Sequence, residues 1–187
     1  MSRIIHGDCL EVMPTLDKVD MILADLPYGT TACKWDTVIP FEPLWENYKR
    51  LIKDNGAIVL FGSEPFSSLL RCSNLKMYKY DWVWHKNKSG NIFLYKISPM
   101  KRTENIMVFL NGNLRPQDVD KITFNHNAKQ GNKVMKTVMK IHGIHGDRDD
   151  DKYKKYKGNT GYSDNLLKFN VDKDRIHSTQ KPAALFE

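Results

Sequence analysis

The residues Met21-Ile22-Leu23-Ala24 run directly into Asp25-Leu26-Pro27-Tyr28-Gly29, and this junction constrains the fold more than any other stretch. A continuous apolar run of that length predicts a short buried strand. In an open α/β sheet, ligands gather outside the carboxyl ends of the strands. A carboxylate, a proline, an aromatic ring and a glycine at such an end therefore mark the place to look for chemistry.

Three further apolar runs follow, Ala57 to Phe61, Trp82-Val83-Trp84 and Ile106 to Leu110. Between the opening run and the first of these lie Phe41, Leu44, Trp45, Tyr48, Leu51 and Ile52, one apolar stripe at helical spacing. Pro43 falls in the first turn of that helix, where proline is tolerated. Lys49, Arg50 and Lys53 complement the dipole at its far end, and Asn55-Gly56 is the predicted stop. Gly62-Ser63-Glu64-Pro65 opens another helix, with Ser63 as the expected N-cap and Phe66, Leu69 and Leu70 as its buried stripe. Strands alternating with helices predict a mostly parallel α/β sheet with helices on both faces.

Nearer the start, Asp8-Cys9-Leu10-Glu11 has the form of a capping box, and Pro14 ends the short helix it opens. Asp8 stands either as that N-cap or as a ligand contact. The three cysteines, Cys9, Cys33 and Cys72, form no C-x-x-C pair, so neither a zinc ribbon nor a disulfide framework is expected, and buried free thiols are. His142 and His145 with Asp147, Asp149 and Asp150 match no strong ligand pattern, and no metal site is expected. No run approaches the length of a membrane span and no secretory h-region follows Met1, so a cytoplasmic location and no membrane partner are the expectation.

The formal net charge is +7 over 187 residues, which suits a polyanionic partner. Residues 111–175 hold 14 Lys and Arg against 9 Asp and Glu, or +5 of that total. They are polar, with few periodic apolar positions, and the stretches 125–132 and 152–161 read as flexible. Lys152 to Lys157 is the densest basic and aromatic cluster, and stands either as a phosphate grip through Lys154 and Lys155 or as a solvated face. The long connection from Asn87 to Asn105 interleaves Phe93 and Tyr95 with Lys88, Lys96, Lys101 and Arg102, just after Lys86. It reads as a nucleic-acid contact or as a solvated loop.

The chemistry open to Asp25-Leu26-Pro27-Tyr28 is specific. An exocyclic amine on a nucleobase is a poor nucleophile because its lone pair is delocalised into the ring. Two acceptors aimed at its two hydrogens localise that pair. Asp25 supplies one and the Leu26 carbonyl the other, with Pro27 restricting the Leu26 backbone. Tyr28 offers a stacking face, and Gly29 lets the chain turn away. A base must leave the duplex to enter such a pocket.

This segment resembles the D-P-P-Y signature of amino DNA methyltransferases that use S-adenosylmethionine. Gly7-Asp8-Cys9-Leu10-Glu11-Val12-Met13 resembles the family's G-D-x-L-E-x-M/L segment, and His177-Ser178-Thr179-Gln180-Lys181-Pro182 its H-x-T-Q-K-P segment. Their order resembles the β arrangement, with catalytic motif, recognition region and cofactor motif in succession. The resemblance implies a partial Rossmann-like sheet and adenine N6 transfer, since Asp rather than Ser comes first. It implies double-stranded DNA as partner and Asp8, Asp25, Thr179, Gln180 and Lys181 as cofactor contacts. The organisation expected is a catalytic part over 1–110, a recognition region over 111–175 and the start of a cofactor segment over 176–187.

Two departures stand out. Leu26 replaces the first proline of the signature, which matters little where the role is a backbone carbonyl. The family's F-x-G-x-G turn does not occur in these residues, so weak cofactor binding and a homodimer or complementing chain are expected. Three other readings stay open: a DNA-binding module or inactive remnant without transfer, cytosine N4 as the target, and an RNA or protein amine as the substrate. Isothermal titration with S-adenosylmethionine tests the cofactor expectation. No measurable micromolar binding is expected, and micromolar binding contradicts it.

Overall fold

The computed structural model describes residues 3–90, 92–112, 124, 129–138, 153–160, 163–174, 176, 177 and 179–186. The chain divides into two units, residues 1–123 with 165–187, and residues 124–164.

The first unit is built on a five-stranded sheet. The opening apolar run forms β1, Val19–Asp25, paired in parallel with β2, Ile52–Gly62, so that Asp25 lies opposite Phe61. The helix between them, α2, spans Phe41–Leu51. The helix after β2, α3, spans Phe66–Ser73 and leads to β3, Tyr78–His85. The strand β4, Thr103–Leu110, inserts antiparallel between β2 and β3. A short strand that follows the second unit in sequence, β7, Leu166–Lys168, adds in parallel to β3. The order is β1-β2-β4-β3-β7, with four strands running one way and β4 against them. The sheet is therefore mostly parallel, as expected, and its inverted strand sits in the middle.

Alternation along the strands gives the sheet two faces. Ile58 and Leu60 of β2 and Met107 and Phe109 of β4 pack beneath Leu44, Trp45 and Tyr48 of α2 and Phe66 and Leu70 of α3. On the other face Phe61, Ile106 and Trp84 meet Val171, with Phe169 and Leu185 packed against them. That face is covered by the returning chain, which includes the 3-10 turn Ala183–Leu185. The Trp84 indole donates to the Phe169 carbonyl at 2.8 Å and fastens this cover to β3.

Several expectations are corrected. The β1 strand is not buried on both faces. It is the sheet's edge strand, and Met21 and Leu23 are exposed because no described residue packs over that side. Helix α2 ends at Leu51, and Ile52 already has extended backbone. Asn55-Gly56 still makes a turn, but inside an irregularity of β2, with Asn55 at φ 61 and a Cβ on Gly56 coming within 2.9 Å of the Asp20 carbonyl. Lys53 consequently pairs with Asp20 at 3.0 Å instead of capping a helix. Pro65, not Ser63, holds the N-cap position of α3, and Glu64 serves its first turn by accepting from the Ser68 amide and hydroxyl. All three cysteines are exposed.

Asp8 does take the N-cap of α1, Cys9–Val12, accepting from the Leu10 amide at 2.8 Å. The second unit contains an antiparallel pair, β5 (Lys129–Val138) with β6 (Tyr153–Thr160), so β6 and the start of β5 are strands where flexible chain was expected. The possible metal ligands His142 to Asp150 lie outside the described residues. Among the described residues no helix is long and apolar enough to cross a membrane.

The core assignment is testable at Leu60, which is fully buried between α2, α3 and β4. Leu60→Ala is expected to cost about 2–5 kcal/mol in urea unfolding with an unchanged m-value. A loss under about 1 kcal/mol contradicts that packing.

Candidate active site at the end of β1

Parallel pairing brings the carboxyl ends of β1, β2 and β3 to one edge of the sheet, and the inverted β4 brings its amino end there. Asp25 closes β1 at this edge, and Glu104 lies opposite Trp84 near the end of β3. The returning chain adds Lys181. These residues line a cleft of about 920 Å³ that also includes Leu26, Pro27, Tyr28, Trp35, Asp36, Glu64, His177 and Thr179.

The Leu26 side chain is buried in the core against the α2 side of the sheet, which anchors the backbone that follows Asp25. Tyr28 is held on three sides. It stacks on Phe66 with ring centroids 5.2 Å apart, donates its hydroxyl to Asp25 Oδ1 at 2.9 Å, and carries the Lys181 ammonium 5.5 Å from its ring centre. Burial and the Asp25 charge push the Tyr28 phenol far above its ordinary range, so it remains a neutral donor.

Gly29 adopts φ 67, and a Cβ there would meet Val38 at 2.8 Å, so this turn requires glycine. The loop beyond it is organised by a residue that the sequence did not single out. Asp36 is buried and accepts from the amides of Gly29, Thr30 and Thr31 at 2.9, 2.9 and 2.7 Å. Burial opposes its charge, but the hydrogen bonds from Thr31, Gly29 and Thr30 outweigh burial and hold the carboxyl below the ordinary aspartate range. The only signal in the sequence was a lone acid following a Gly-Thr-Thr turn.

Lys181 is the second organiser. Its ammonium lies 3.0 Å from both oxygens of Asp25 and 3.3 Å from Glu104 Oε2. Glu104 was not foreseen either. Its other oxygen receives Lys86 at 2.7 Å. At the rim, Arg71 pairs with Glu64 at 2.9 Å and Asp81 at 2.5 Å. The hydrogen bond from the Ser68 hydroxyl, opposed by burial and helped by Arg71, holds the Glu64 carboxyl below its ordinary range.

The remaining expected site residues divide by location. Thr179 is on the cleft wall, with its hydroxyl 2.8 Å from His177 Nδ1. Gln180 turns back to accept from the Ile176 amide at 3.0 Å and lines an adjoining recess with Lys88. Asp8 is not part of the cleft lining and caps α1. Lys86 is directed inward to Glu104, Lys101 donates to the Glu64 carbonyl at 2.8 Å, and Arg102 donates to Ser89 at 2.9 Å. Lys154 and Lys155 lie on β6, in the second unit.

A family model described as DNA methylase, covering N6 and N4 methyltransferases, matches residues 19–187. No curated protein matches the chain. Among solved structures, the M1.HpyAVI–SAM complex aligns over 99% of this chain and 74% of its own length, at 19% identity and a TM-score of 0.56. A second M1.HpyAVI structure aligns over 56% of this chain and 52% of its own, at 22% identity and a TM-score of 0.43. A Thermus thermophilus protein described as a DNA modification methylase aligns over 62% and 56%, at 18% identity and a TM-score of 0.42. The first of these shows a shared fold.

The Asp36 loop yields a prediction with a defined sign. Asp36→Asn replaces one acceptor oxygen with a donor facing amides, and is expected to cost about 1–3 kcal/mol of stability near neutral pH. A carboxyl whose folded pKa is depressed stabilises above its unfolded value and loses that effect as pH falls through the folded one. The gap between native and variant chains is therefore expected to narrow as the pH falls below about 4 in denaturant titrations. An unchanged gap across that range contradicts the assignment.

Proposed function

The chain belongs to the N6/N4 methyltransferase family of DNA methylases, and from that premise we propose that it moves a methyl group from S-adenosylmethionine to the exocyclic N6 of an adenine turned out of duplex DNA. The observation that carries this reading is the placing of Asp25, Leu26, Pro27 and Tyr28 together on one cleft at the end of β1.

The residues present suit the cofactor by their chemistry. Asp25 and Glu64 are carboxylates that attract a sulfonium and an ammonium, Thr179 offers a hydroxyl, Lys181 offers a cation for a carboxylate, and Trp35 offers an aromatic face. Asp25, Thr179 and Lys181 are the contacts favoured here. Gln180 supports their segment through its bond to the Ile176 amide. When bound, S-adenosylmethionine supplies an electrophilic methyl on a positively charged sulfur.

The chain's own residues do the rest. Asp25 and the Leu26 carbonyl accept the two hydrogens of the target amine and localise its lone pair towards the methyl. Such acceptors are fixed before the reaction, so little reorganisation is needed as charge develops. The nitrogen loses one hydrogen as it gains the methyl, and Asp25 is the acceptor already bonded to that proton. Tyr28, braced by Phe66, lines the space for the base. Lys88, Lys96, Lys101 and Arg102 on the β3–β4 connection serve the DNA backbone, with Lys154 and Lys155 of the second unit on the recognition side. On this reading residues 111–164 make up the recognition region and β7 belongs to the catalytic sheet.

The test is methyl incorporation from labelled cofactor into unmethylated duplex DNA. Asp25→Ala is expected to lower transfer at least about a hundredfold, in the range for losing a preorganised electrostatic group, while salt-dependent DNA binding persists. DNA binding with no transfer by the native chain favours a binding module instead. Equal transfer by both chains removes Asp25 from the mechanism.

A further inference from the structure

The acceptor that the proposed reaction requires is already occupied. Tyr28 and Lys181 both bond Asp25 Oδ1, and Lys181 also bonds Oδ2. The Lys181 side chain is only 8% exposed, so its ammonium has few routes to solvent. A target amine that reaches Asp25 has to share or displace this cation. Moving a nearly buried ammonium off its partner is costly unless a second anion receives it.

Glu104 is built for that purpose. Its Oε1 is held by Lys86 at 2.7 Å, which fixes the direction of the carboxylate. Its Oε2 is buried, accepts no hydrogen bond among the described residues, and pairs with the Lys181 ammonium only at 3.3 Å. An unsatisfied buried carboxylate oxygen carries a desolvation cost that a closer ammonium removes. A small movement of Lys181 away from Asp25 gives up hydrogen bonds there and tightens the existing pair with Glu104, which offsets part of the loss. The aromatic faces of Tyr28 and Phe61, 5.5 and 5.4 Å from the ammonium, flank the cation.

We propose that Glu104 is a positioning residue that receives the Lys181 ammonium when the target amine takes its place on Asp25. The step exchanges hydrogen-bond partners only, and no bond to a heavy atom is made or broken. Glu104 does not touch the base. It acts through Lys181, by freeing the acceptor that the amine needs. This inference rests on the methyltransferase reading and specifies how the resting site is opened.

The experiment compares the native chain with Glu104→Gln and Glu104→Asp in steady-state methylation of unmethylated duplex DNA, with thermal melting of each variant as the folding control. Glu104→Gln keeps the shape and removes the charge. Its kcat is expected to fall about ten- to hundredfold, the weight of one charge-assisted hydrogen bond, with KM for DNA and for cofactor within about twofold of native. Glu104→Asp restores part of the loss because it restores the charge. A Glu104→Gln variant that folds and turns over at the native rate overturns the inference and leaves the methyltransferase reading intact. A loss confined to KM overturns it too, since that reports weakened binding. No transfer by the native chain overturns both.

Discussion

The ion pair between Asp25 and Lys181 joins positions 156 residues apart, and the candidate site depends on it. One partner ends the first strand of the sheet and the other belongs to the chain that returns over its far face. The pair is possible only because the Trp84 bond to Phe169 and the packing of Val171 fasten that returning chain in place. The hydrophobic face opposite α2 and α3 thus serves geometry as well as stability: it fixes where the Lys181 ammonium can stand.

Strand order explains why chemistry collects at this edge. With β1, β2 and β3 parallel, their carboxyl ends come together, and the inversion of β4 adds the beginning of a strand rather than its end. Glu104 comes from that inversion. A β4 running the other way would have placed Glu104 at the opposite edge. The same edge carries Asp36, whose three amide bonds stiffen the turn after Tyr28. Under the proposed mechanism the acceptors must not drift, and both devices restrict drift.

Much of this was legible in the residues. Periodicity located α2, and the uninterrupted apolar runs located β1, β2, β3 and β4, because burial stamps its period on the sequence. The Asp25 and Lys181 segments were legible as motifs whose resemblance pointed to one family. The edge position of β1 was not, since an apolar tetrapeptide does not reveal how many neighbours a strand has. Asp36 and Glu104 were missed because their roles come from partners brought close by folding, and a polar residue in a loop or at a strand start looks the same with or without them. Lys86 was read with its basic, aromatic surroundings as a nucleic-acid contact, and in the fold its ammonium bonds Glu104. β6 and the start of β5 were read as flexible because their composition is polar, and backbone pairing needs no apolar pattern.

The central claim is that Asp25 and the Leu26 carbonyl act on the exocyclic amine of adenine. The most direct measurement is nucleoside mass spectrometry of duplex DNA incubated with the chain and a cofactor bearing a deuterated methyl group. The account predicts the deuterated label in N6-methyl-2′-deoxyadenosine, dependent on Asp25. Label in cytosine N4 alone, or in no nucleoside, contradicts it.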